Sequence, residues 1–96
     1  MNSQRNSEEF YAKLKDELEK STSWPSEYLY KFIIPSDKEK NNQIETIFDN
    51  TGAVIKTKKS SNGKYTSISI YVNMKDADAV IEKYIEVGKI DGVISL

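Results

Sequence analysis

The run Ser67-Ile68-Ser69-Ile70-Tyr71-Val72 alternates polar and apolar side chains without a break. A period of two is satisfied only by a strand with one buried face. Ile68, Ile70 and Val72 must cover a core, and Ser67, Ser69 and Tyr71 must look away from it. Residues 53–59 form a second strand-like run, separated from the first by Ser60-Ser61-Asn62-Gly63. Asn-Gly between strands predicts a hairpin with a type I′ turn, both central residues at positive φ. A lone hairpin is at best marginal in water, so the rest of the chain must cover its apolar face.

The remaining elements supply that cover. Residues 27–34 read as a strand with Tyr28, Tyr30, Phe32 and Ile34 on one side and Leu29, Lys31 and Ile33 on the other. Both sides are partly apolar, which predicts a central position. Pro35 is expected to stop the strand, with Ser36 and Glu39 as a capping box for a helix over 37–49 whose stripe is Ile44, Ile47 and Phe48, ended by Gly52. A second helix is predicted over 75–87, capped by Asn73, with Ala77, Val80, Ile81, Tyr84 and Val87 on its apolar face and Gly88 at its end. Residues 90–96 close the chain as a strand.

Before all of these, Ser7 as N-cap and the acids Glu8 and Glu9 predict a helix over 8–20, with Phe10, Leu14 and Leu18 in one stripe and Tyr11 beside it. Ser21-Thr22-Ser23 and then Trp24-Pro25 end it, because the residue before proline avoids helical geometry.

After this first helix the order is strand, helix, strand, strand, helix, strand. Two strand–helix–strand crossovers joined by a hairpin give an α+β ferredoxin-like sandwich, a four-stranded antiparallel sheet with two helices on one face. The stripe residues Ile44, Ile47, Phe48, Val80, Ile81 and Tyr84 should then meet Phe32, Ile55, Ile68 and Ile70. The other sheet face is left open. Either the first helix covers it through Phe10, Leu14 and Leu18, or a second copy of the chain does.

Ninety-six residues allow one domain, read as a helical lead-in over 1–23 and a sandwich over 24–96. The absence of Cys and His removes disulfides, thiolate nucleophiles, imidazole bases and the usual ligands of zinc, haem and iron–sulfur clusters. No catalytic residue, metal or cofactor is expected. The net charge of -1 gives no global field toward nucleic acid or an anionic membrane. The first nine residues lack the roughly 7 to 15 apolar residues of a secretory signal. No run approaches the ~20 of a membrane span, so the expectation is a cytoplasmic protein.

From Lys59 onward the run Ser60-Ser61-Asn62-Gly63-Lys64-Tyr65-Thr66-Ser67-Ile68-Ser69-Ile70, then Asn73, then Tyr84 through Gly88-Lys89-Ile90-Asp91, resembles the YbeD-like family of small bacterial proteins of unknown function. Trp24-Pro25 and Tyr28-Leu29-Tyr30-Lys31 are similar to that family's aromatic-Pro and aromatic-x-Tyr-Lys pattern. The resemblance spans about Trp24 to Leu96. It implies a ferredoxin-like fold close to the ACT-type regulatory domains that bind amino acids, and it supplies no catalytic residues. The chain departs from the pattern in its longer N-terminal helix, in Ser21-Thr22-Ser23 and in Ile34-Pro35, where a Gly is common.

Two features offer a surface for recognition. Lys56, Lys58, Lys59 and Lys64 place four positive charges with no acid between positions 56 and 64. They either meet phosphate or keep an edge strand soluble and unpaired. Tyr65, Ser67, Ser69 and Tyr71 share the face opposite Ile68, Ile70 and Val72. That face is either simply solvated, used for subunit contact, or a stacking platform for bases, although the aromatic signature of RNA-recognition domains is missing.

Other motifs have plainer readings. Asp76 and Asp78 offset a helix dipole. Gly88-Lys89 lacks the spacing of a phosphate loop. The single arginine, Arg5, is poorly placed for acylphosphatase-type hydrolysis. The expected role is a non-catalytic regulatory or adaptor module acting through a protein partner, a homodimer or a small ligand. Weak nucleic-acid binding through the lysine hairpin is the alternative.

Overall fold

The computed structural model describes residues 3–96, with side chains from Glu8 onward. Its elements are α1 (Ser3–Ser21), β1 (Ser26–Pro35), α2 (Lys38–Ile47), β2 (Val54–Lys59), β3 (Tyr65–Met74), α3 (Ala77–Gly88) and β4 (Ile94–Ser95). The strands form one antiparallel sheet in the order β2-β3-β1-β4. This is the ferredoxin-like α+β arrangement preceded by an extra helix. β1 lies inside the sheet, as its two partly apolar sides require.

The core forms between the sheet and the helices. Tyr30, Phe32 and Ile34 of β1, Ile68, Ile70 and Val72 of β3, Ile44 and Phe48 from the α2 segment, and Val80, Ile81 and Val87 of α3 are all buried, with Ile47, Ile55 and Tyr84 packed against them. Tyr30 sits at the centre, its ring 4.9 Å from Tyr84, 5.2 Å from Phe48 and 4.8 Å from Tyr28 between centroids. Its hydroxyl donates to the Val80 carbonyl at 3.0 Å, so the polar atom that this ring brings into the core is satisfied.

Several boundaries differ from the sequence expectation, each for a local reason. Pro35 does not stop β1 but pairs with Tyr65 as its last residue. Its missing N–H lies on the side away from β3, so no ladder bond is lost. Asp37, not Ser36, caps α2, accepting from Glu39 N–H at 2.9 Å. Ser36 is already tied to β3, its hydroxyl 2.9 Å from that of Thr66 and its N–H donating to the Lys64 carbonyl at 2.8 Å.

At the other end, α2 finishes at Ile47, whose carbonyl accepts from Lys83 Nζ at 2.6 Å. The turn that follows has Asn50 at φ 60 before Gly52 at φ 75, so Gly52 lies beyond the helix end. Asn73 does not cap α3 but belongs to β3, opposite Glu27. Asp76 takes the cap instead, accepting from Ala79 N–H at 2.8 Å. Gly88 is the last helical residue, not a left-handed stop. The closing strand is reduced to Ile94 and Ser95, because Ile90 is buried directly after α3 and the chain turns again at Gly92, φ 81.

The hairpin is also built differently. Only Gly63 has positive φ, at 74, and Asn62 does not. The turn closes with Gly63 N–H donating to the Ser60 carbonyl at 2.9 Å. Asn62 contributes through its side-chain oxygen, which accepts from Lys64 N–H at 3.0 Å and from the Ser60 hydroxyl at 2.9 Å. A longer loop around an ordinary turn replaces the two-residue type I′ geometry.

α1 starts at Ser3, so Ser7 lies within the helix and does not cap it; its side chain and that of Arg5 fall outside the described residues. The helix packs on α3. Lys15 pairs with Asp78 at 2.9 Å, Leu18 enters the core, and Tyr11 and Leu14 lie against it. Cover of the open sheet face by Phe10, Leu14 and Leu18, one of the two sequence expectations, is therefore replaced. α1 is a third member of the helix layer.

Candidate docking face of the sheet

Strand register fixes what the open face carries, because residues directly opposite in antiparallel strands share a side. Val54, Tyr71 and Leu29 stand in one row across β2, β3 and β1. The next row is Lys56, Ser69 and Lys31, and the one after it Lys58, Ser67, Ile33 and Ile94. Tyr65 and Pro35 close the pattern at the hairpin end, Asn73 and Glu27 at the other. Leu29, Val54, Tyr65 and Ile94 are exposed by 41 to 54%. Four large apolar groups on a face that no described element covers form a patch of the kind that marks an interaction site.

The polar groups organise the same face. Lys56 Nζ lies 5.5 Å from the centre of the Tyr71 ring, which keeps its chain along the apolar row. The Ser67 hydroxyl donates to the Lys58 carbonyl at 3.3 Å. Lys31, Lys56 and Lys58 give three positive charges against the single acid Glu27. The face thus combines an apolar row with a cationic middle.

Of the residues singled out in the sequence, Lys56, Lys58, Tyr65, Ser67, Ser69 and Tyr71 share this face. Lys59 and Lys64 do not. Lys59 is paired with Thr66 on the helix side, where it borders a crevice with Ser36, Asp37, Lys38 and Asn41. Lys64 precedes β3 in the hairpin loop, its N–H held by Asn62. The four lysines therefore do not form one patch, because period two splits 56 and 58 from 59.

Lys31, Val54 and, on the edge strand, Ile94 are the members that sequence reasoning did not place at the site. For the first two the signal was present: Lys31 lies between Leu29 and Ile33 at period two, and Val54 two residues before Lys56. What was missing was the register that sets three strands side by side. The acids Asp76 and Asp78 are engaged elsewhere, one as a helix cap and one with Lys15. That pairing raises the pKa of Lys15, first through the hydrogen bond with Asp78 and then through its charge.

The fold has a solved counterpart. An uncharacterized protein from Thermotoga maritima, TM1266, aligns over 74% of this chain and 94% of its own with a TM-score of 0.59 and 13% identity, a likeness of fold. No curated protein matches the chain. The family described as "Protein of unknown function (DUF493)", which is the YbeD-like family, matches residues 19–96 and so takes in the whole sandwich together with the end of α1. The chain belongs to the DUF493 family.

Proposed function

We propose that this chain is a non-catalytic cytoplasmic module, regulatory or adaptor-like, that works by docking a protein partner on the open face of its sheet. The observation that carries this reading is the exposed row Val54, Tyr71 and Leu29 beside the Lys56, Ser69 and Lys31 row, with α1 lying on the other side of the sheet. A partner surface of apolar groups with acids at its rim is complementary to it. A second copy is less so, because face-to-face pairing would bring the lysine rows of the two copies together at an energetic cost.

Sedimentation velocity of the purified chain across a wide concentration range separates the two. The reading expects a monomer, and a dimer abolished by Val54→Asp would favour self-association. The ACT-type resemblance implies an amino-acid ligand, which a thermal shift with the twenty amino acids would reveal.

A phosphate-bearing partner is the second reading, favoured by Lys31, Lys56 and Lys58 on one face. Three neutralised phosphates would give a log–log salt slope of about -2 to -3. Titration of labelled single-stranded RNA at low and moderate salt should show only weak, salt-labile binding. Sub-micromolar affinity at moderate salt that is lost in Lys56→Glu/Lys58→Glu would promote this reading over docking of a protein.

A further inference from the structure

Along β1 the open face runs Leu29, Lys31, Ile33, and the register carries this apolar, cationic, apolar order across the sheet. Successive rows stand about 7 Å apart, so the lysines lie between two apolar zones and not at one end of the face. The ion pairs of the described residues engage Lys15, Lys20 and Lys83 and leave Lys31, Lys56 and Lys58 without an acid.

The middle of the face is low. On β3 the small side chains Ser67 and Ser69 form a floor between the rings of Tyr65 and Tyr71, which stand about 20 Å apart along the strand. β2 and β1 border that floor and are about 10 Å from each other. A helix with its side chains is about 10 Å across, and about 13 residues of it span 20 Å. At the hairpin end the floor opens into a shallow cavity of about 410 Å³, whose lining includes Ile33, Lys58, Tyr65 and Ser67.

The main chain beneath the floor has nothing to offer a ligand, because β3 is paired with β1 on one side and with β2 on the other. An extended peptide laid on the face would bury its own N–H and C=O groups against side chains alone, at a cost for each unmet group. A helix arrives with those bonds already made. A lipid surface suits the pattern poorly, since sinking Leu29 and Ile33 into hydrocarbon would take Lys31 down between them.

Resting on the docking reading above, we infer that the partner element is an amphipathic α-helix laid along β3. Its apolar stripe covers Ser67, Ser69 and the flanking apolar groups, and acids beside the stripe face Lys31, Lys56 and Lys58. One apolar side chain near its end enters the cavity beside Ile33 and Tyr65. Charge complementarity sets the class of helix: three cations without an acid, against the single acid Glu27, select an acidic rim and reject a basic one.

Two displayed libraries selected on the full chain provide the probes. One varies the exposed face of a helix in a stable helical bundle, with Asp, Glu, Lys and apolar residues allowed at each position; the other displays unstructured linear peptides. Affinities are then measured for the unaltered chain, Val54→Asp/Tyr71→Asp and Lys31→Glu/Lys56→Glu, each shown to be folded by urea unfolding. Should the first pair not fold, Val54→Asp on the exposed edge strand takes its place.

The helical library should supply the binders, with acids outnumbering lysines beside their apolar stripe. Either pair of substitutions should weaken them by at least about tenfold, and Glu→Lys changes in the binder should restore affinity for Lys31→Glu/Lys56→Glu. Binders from the linear library alone, or helical binders lost with Val54→Asp/Tyr71→Asp yet indifferent to the lysine reversal, would overturn the acidic helix and leave docking on this face standing. If no binder responds to Val54→Asp/Tyr71→Asp, docking on this face fails and the helix with it. Tighter binding of anionic phospholipid vesicles or of single-stranded RNA, lost in Lys31→Glu/Lys56→Glu, would overturn the helix and give the face to phosphate groups.

Discussion

Gly63 shows how one residue fixes a hairpin. With φ at 74 and no heavy atom within 4 Å of where a Cβ would stand, the constraint there is conformational and not steric crowding. Gly63→Val should lose about 1 to 2 kcal/mol or more, while Gly63→Asn should be nearly neutral, because Asn tolerates the left-handed region. Urea unfolding of the two variants checks this, and equal stability would contradict it. Phe48 tests the core in the same way. Its ring is 3% exposed and packs edge-on to Tyr30, with Lys83 Nζ 5.6 Å from its centre. Phe48→Ala should cost about 3 to 5 kcal/mol. A loss below roughly 1 kcal/mol would mean the site collapses without a cavity.

At the scale of elements, periodicity located every helix and strand, and the misplacements have a common cause. Ser36 and Asn73 are good cap residues by type, but β-ladder pairing and a bond to Thr66 claim them first, and the neighbouring aspartates Asp37 and Asp76 take the caps. Tertiary pairing outranks local propensity at such junctions. The register across β2, β3 and β1 could not be read from any one strand, and so Lys31 and Val54 stayed apart from Lys56 in the sequence. The side chosen by α1 was equally hidden, because its stripe suits either layer. Since Leu18 is buried in the helix layer, deleting residues 1–22 should lower stability by at least about 2 kcal/mol. The surface this exposes lies around α3, not on the open sheet face. Unchanged stability of the truncated chain in urea would show that α1 is only loosely attached.

The whole molecule carries its buried phenols as a pH-dependent liability. Burial raises the pKa of Tyr30 well above its ordinary value, and burial together with the hydrogen bond to Tyr28 does the same for Tyr84. The unfolded chain releases these protons near pH 10, whereas the native state holds them, so stability is fully present below about pH 10 and falls above it. The slope should reach about 1.4 kcal/mol per pH unit for each phenol. Urea midpoints measured from pH 9 upward should fall less steeply for Tyr30→Phe than for the unaltered chain; parallel decline would contradict the assignment.

The central claim concerns the other side of the sheet, where an apolar row and three lysines face outward and the core takes no part. The most direct measurement is affinity capture from extract of the source cells with the unaltered chain and with Val54→Asp/Tyr71→Asp, identified by mass spectrometry, after urea unfolding has shown that the variant remains folded. The account predicts a protein held by the unaltered chain and lost from the folded variant. A partner retained equally by both would contradict it.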